Sequence, residues 1–193
     1  KIDLDRSLQG DFDPLEPRDH PGFGKEDWAF LHVPGPLPGA SPGARIRLRP
    51  FTSLPVPGSG IIPTFSLIGY SIVHQGLGIS PDCRVVESGP EDLGGGAWQG
   101  QLLDDCDSGK GASGGGLVAS LGGSHYLVGI RAGAHWDERL YPSLRYPAGP
   151  PDGAAWDVRT NTNVSRSVDE GMVEALQRFL VEIAGMRRQP RVF

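Results

Sequence analysis

Between residues 61 and 164, short apolar stretches follow one another at regular spacing, each cut off by glycine, proline or aspartate. They are IIPTFSLIGYS (61–71), CRVVESG (83–89), AWQGQLLDD (97–105), GGLVASL (115–121), SHYLVGIRAG (124–133) and AWDVRTNTNV (155–164). This spacing is the pattern of a β-sandwich or barrel, and LGGSH (121–125) carries a hairpin turn signal. Glycine (29) and proline (18) make up about a quarter of the 193 residues, close to a disordered composition. With 38% hydrophobic residues a core can be built, so these residues read as turns in an all-β chain.

Upstream, residues 1–26 are polar and read as a surface loop with one short strand. DWAFLHV (27–33) is an apolar strand, 34–43 a loop, and ARIRLRPF (44–51) alternates strictly, as a half-exposed strand does. TSLPVPGSG (52–60) reads as a connector and the candidate domain boundary. Only SVDEGMVEALQRFLVEIAG (167–185) reads as helix. Ser167 is the expected N-cap and Glu170 completes a capping box. Val173, Leu176, Leu180 and Ile183 share one face, Gly185 is the expected C-cap, and Pro190 lies just beyond. The expected division is 1–55, 56–166, the helix 167–185, and a tail 186–193.

The net charge is −5 with both signs interspersed, and the absence of a basic stripe disfavours a nucleic-acid partner. No apolar run approaches a membrane span. The chain begins at Lys1 without an apolar signal region, which reads as a cut or processed end. Two cysteines, Cys83 and Cys106, are too few for a disulfide scaffold and are not spaced as a zinc site. They are either buried thiols or one disulfide worth roughly 3–4 kcal/mol.

The chemistry-bearing segment is CDSGKGASGGGLV (106–118). A serine hydroxyl is a weak nucleophile that needs a base, an orienting acid and oxyanion donors. A tight turn through Gly111-Ala112-Ser113-Gly114-Gly115 aims the amides of Gly111 and Ser113 at one point, an oxyanion hole made of backbone alone. The same string also fits a plain glycine-rich turn, or the elbow of α/β-hydrolases. An elbow needs a strand before the serine and a helix after it, whereas polar DDCDSGK precedes this serine and a hairpin follows. A P-loop is excluded, because Gly111 follows Gly109-Lys110 where Ser or Thr is required.

The segment resembles the nucleophile region of trypsin-like serine proteases, closest to the bacterial branch related to the glutamyl endopeptidases. That branch reads Cys-Asp-Thr-x-x-Gly-x-Ser-Gly-Ser/Gly-Pro. DWAFLHV resembles the strand carrying the catalytic acid, LIGYS the first strand of the second barrel, and LVGIRAG the strand that pairs with substrate backbone. NTNVSRSVDEGMVEALQRFL resembles the last strand and terminal helix. The five segments run in family order from about residue 27 to 184.

The resemblance implies a chymotrypsin-like double six-stranded β-barrel, its first barrel incomplete, with a C-terminal α-helix. Residues 1–55 would be the end of the first barrel and 56–166 the second. Ser113 is then the nucleophile, Asp27 the orienting acid, and the amides of Gly111 and Ser113 the oxyanion donors. Asp107 and Ser108 lie on the floor of the substrate pocket and Arg131, Ala132 and Gly133 on its wall. Cys83 and Cys106 match a cysteine pair this branch often bridges. Arg131 stands where the glutamyl enzymes carry histidine. It would meet an acidic substrate side chain, pair with Asp107 to leave a neutral pocket, or point to solvent.

The chain departs from the family in lacking the Thr-Ala-Ala-His-Cys-like segment of the catalytic base. His20, His32, His74, His125 and His135 lie elsewhere and read as surface or structural residues. Ala112 replaces the aspartate that pairs with a freed N-terminus in digestive enzymes, and Gly116 replaces a proline. The expectation is a serine endopeptidase whose histidine lies upstream, so that these 193 residues alone hydrolyse little. It needs no cofactor, acts on protein or peptide as a monomer, and is exported to periplasm or medium. The alternatives are an inactive homologue that binds peptides, and an α/β-hydrolase-type esterase.

Overall fold

Gly122 and Gly123, both with positive φ (57° and 77°), turn the chain between two strands, β8 (Gly116–Leu121) and β9 (Ser124–Trp136). This hairpin, with Leu121 opposite Ser124, is the middle of the main sheet. The computed structural model describes residues 7–11, 27–33, 46–55, 60–72, 75–89, 100–108, 111–137, 139–140 and 154–186. The other strands are β1 (Ser7–Gln9), β2 (Ala29–Leu31), β3 (Arg47–Leu48), β4 (Thr64–Ser71), β5 (Gly76–Cys83), β6 (Val85–Glu87), β7 (Leu102–Asp104) and β10 (Asn161–Ser167).

Among the described residues the strands form two sheets. β1 and β2 pair antiparallel as a ribbon of their own. The main sheet has the order β5-β4-β8-β9-β10-β7-β6, and β3 runs parallel to β9. Its two edge strands, β5 and β6, are joined through Arg84 alone, so the sheet must curl into a half-barrel. The backbone amide and the Nε of Arg84 each donate to the Asp105 carboxylate at 2.6 Å, drawing β5 toward the end of β7. The Cys83–Cys106 disulfide fastens the same corner, with the two Cα atoms 4.9 Å apart.

The concave face holds the core, in which Leu102, Leu117, Ala119 and Val128 are wholly buried and Leu67 nearly so. Leu54 joins this cluster, and Phe51 packs against Phe65 with ring centroids 5.9 Å apart. Residues 47–54 therefore pack on the main sheet. Among the described residues of the strictly alternating 44–51 stretch, 46–51, the strand is Arg47–Leu48. β5 was not foreseen, because GLGISPDC carries two glycines and a proline. It lies at a sheet edge, where a proline costs no ladder bond, and Asp82 takes a left-handed conformation (φ 56°) where the β4–β5 register shifts.

The C-terminal helix is α1 (Glu170–Met186), and its cap differs from expectation. Ser167 still belongs to β10, paired with Gly129, and the Val168 amide donates to the Val128 carbonyl. The chain is thus held in the sheet past Ser167, and the cap falls to Asp169, whose Oδ1 accepts the Met172 amide at 2.8 Å. The buried stripe is Met172, Ala175, Phe179 and Ile183. Val173 and Leu176 are half-buried, and Leu180 is 56% exposed rather than core-facing. Gly185 lies inside the helix and is not its C-cap; Pro190 lies outside the described residues. Among the described residues no helix is long and apolar enough to cross a membrane.

Candidate functional site

The loop between β7 and β8 is shaped by its glycines. Gly111 has φ +90°, and a Cβ there would lie 2.8 Å from Ile72 Cγ1. At Gly115 a Cβ would lie 2.8 Å from the Ala112 carbonyl oxygen and 2.9 Å from that of Ile68. No side chain fits either place, so the turn can close this tightly only on glycine. The Gly115 amide donates back to the Ala112 carbonyl at 2.8 Å, leaving Ser113 exposed at the apex. Among the described residues, the amides of Gly111 and Ser113 meet no acceptor and are free to serve as donors. Ser113 lies between a loop and the strand β8, not on a strand-to-helix elbow.

Ser113 faces a cleft of about 660 Å³. The same cleft is lined by Asp27 and Trp28, just before β2, by Phe30 of β2, and by Leu127 and Ile130 of β9. Two residues far apart in sequence, Ser113 and Asp27, thus line one cavity. Burial raises the Asp27 carboxyl above its ordinary value. The rings of Trp28 and Phe30 pack at a tilt, centroids 5.2 Å apart, and both line the cleft.

No described histidine lines the cleft. His32 follows β2 and is half-buried. His125 Nδ1 lies 2.9 Å from Ser120 Oγ across the hairpin, and His135 Nε2 lies 3.1 Å from the Arg159 carbonyl. His20 and His74 fall outside the described residues.

Of the expected pocket residues, Arg131 lines the cleft, but Asp107, Ser108, Ala132 and Gly133 do not. Asp107 is exposed and its amide donates to Ser80 Oγ at 2.8 Å. Ser108 donates to Asn163 Oδ1 at 2.9 Å, and Asn163 Nδ2 in turn donates to the Cys106 carbonyl at 2.7 Å. Ala132 and Gly133 are half-buried on β9.

Arg131 neither points to solvent nor pairs with Asp107. Its guanidinium is buried and forks onto Asp104, Nη1 to Oδ2 at 2.9 Å and Nη2 to Oδ1 at 2.7 Å. Asp104 also accepts the Cys106 amide at 3.1 Å and Ser165 Oγ at 3.3 Å. The positive charge is therefore spent inside the protein. Asp104, Trp28 and Phe30 were not singled out from the sequence, although an acid ending the apolar run QLLD is a signal that it must find a buried partner.

These features define an all-β protein with a curled half-barrel sheet, a C-terminal helix, and a serine on a glycine turn above a cleft. The chain matches no family model, no curated protein and no solved structure.

Proposed function

We propose that this chain carries the nucleophile and the orienting acid of a trypsin-like serine endopeptidase, in which the half-barrel is the second of two β-barrels. The observation that carries the reading is the shared cleft of Ser113 and Asp27. Ser113 Oγ attacks the peptide carbonyl carbon and forms an ester while the carbonyl oxygen takes the negative charge. An imidazole from polypeptide outside these 193 residues accepts the hydroxyl proton and passes it to the departing amine. Asp27 holds that imidazole, the amides of Gly111 and Ser113 hold the oxyanion, and water then frees the acyl group.

The chemistry of Asp27 supports this role. A half-buried carboxylate is costly to ionise alone, and an imidazolium alongside offsets that cost. The substrate is protein or peptide, no cofactor is needed, and the disulfide fits export to an oxidising compartment.

The coding sequence upstream of Lys1 tests the reading. A barrel carrying a Thr-Ala-Ala-His-Cys-like segment is expected there and completes the triad. A native start at Lys1, or an upstream barrel without that histidine, overturns it in favour of a non-catalytic peptide-binding homologue.

A further inference from the structure

The Asp104–Arg131 pair does not join neighbouring strands. β10 lies between β7, which ends at Asp104, and β9, which carries Arg131. The two side chains meet within the curl of the sheet, beside Ser165, where the β9–β10 register shifts between Val164 and Ser165. Each end of the pair is tied to one side of the Ser113 loop. On the incoming side, Asp104 Oδ1 accepts the Cys106 amide at 3.1 Å, the point where the chain leaves β7 for the loop. On the outgoing side, the Arg131 carbonyl accepts the Gly114 amide and the Arg131 amide donates to the Gly115 carbonyl, both at 2.8 Å. Ser113 stands between these anchors.

From this arrangement we infer that the buried Asp104–Arg131 pair is a positioning device for Ser113, fixing the distance between the entry and exit of the nucleophile turn. This rests on the reading of Ser113 as the nucleophile. The fork is what makes the pair suited to the task. Two parallel hydrogen bonds fix the relative orientation of the two strands as well as their distance, which a lysine cannot do. A buried ion pair is in general weak evidence for stability, since a well-packed apolar pair of similar volume serves the fold equally well. Geometry therefore accounts for it better than stability does.

The test replaces both partners together, Asp104→Leu with Arg131→Met, so that neither charge is left buried alone; Arg131→Lys serves as a milder variant that keeps the charge and loses the fork. Two readouts are taken on each folded protein. One is amide hydrogen exchange at Gly114 and Gly115, with Leu117 and Val128 as core references. The other is the rate of Ser113 acylation by an activated peptide ester in the presence of imidazole. The expected result is unchanged protection at Leu117 and Val128, at least tenfold faster exchange at Gly114 and Gly115, and at least tenfold slower acylation. Unchanged exchange at Gly114 and Gly115 in a folded double variant overturns the positioning role. If the wild-type chain is not acylated at Ser113, the nucleophile reading fails, and the exchange measurement still decides whether the pair orders the turn.

Discussion

Asp104 is wholly buried and Arg131 nearly so, and removing one leaves the other charged in the core. Asp104→Ala is expected to cost about 3–5 kcal/mol in urea unfolding, far more than the double apolar replacement. Asp27 behaves differently. Its carboxyl is raised by burial, so the folded chain holds that proton to a higher pH than the unfolded chain does. The stabilisation from that difference is complete below the ordinary carboxylate value and is lost as the pH rises through the folded value. Asp27→Asn is therefore expected to melt above the wild type at pH 7, with the two melting curves converging below about pH 4. A third residue-scale expectation concerns Gly111, where alanine meets both a positive φ and the Ile72 side chain. Gly111→Ala should cost about 1–3 kcal/mol and disturb Ser113 before it disturbs the core.

At the level of elements, much was legible in the residues. The GGLVASL and SHYLVGIRAG strands, the turn at Gly122–Gly123 and the helix follow from local pattern, because each satisfies its own periodicity or turn chemistry. What was not legible depended on neighbours. β5 carries Pro81 and two glycines, and becomes a strand because β4 offers it an edge. The helix cap moved to Asp169 because the sheet holds Ser167. Leu180 looked like a core residue, yet the stripe set by Met172 and Phe179 turns it outward. Phe179→Ala should thus cost about 3–5 kcal/mol, while Leu180→Ala stays within about 0.5 kcal/mol in the same unfolding assay. In the site, the glycine turn could be read from the string alone. The partner of Arg131 could not, since Asp104 reaches it only across an intervening strand.

For the molecule as a whole, the two sheets are held very differently. The half-barrel is fastened by the disulfide and by the Arg84–Asp105 contacts, and its core residues are buried, Leu102, Leu117, Ala119 and Val128 wholly so. The β1–β2 ribbon has two short strands, with Trp28 standing between the cleft and a second cavity of about 610 Å³ beside α1. A two-stranded ribbon is at best marginally stable by itself, so the amides of Ala29–Leu31 should exchange well before those of β8. The account turns on whether Asp27, carried next to that ribbon, works with Ser113 across the cleft. The direct measurement is hydrolysis of an activated peptide ester by the 193-residue chain as imidazole is titrated in, beside Ser113→Ala and Asp27→Asn. The account predicts negligible turnover without imidazole, a rise with neutral imidazole well above that of Ser113→Ala, and a weaker rise in Asp27→Asn. A wild-type rate equal to that of Ser113→Ala at every imidazole concentration would contradict it.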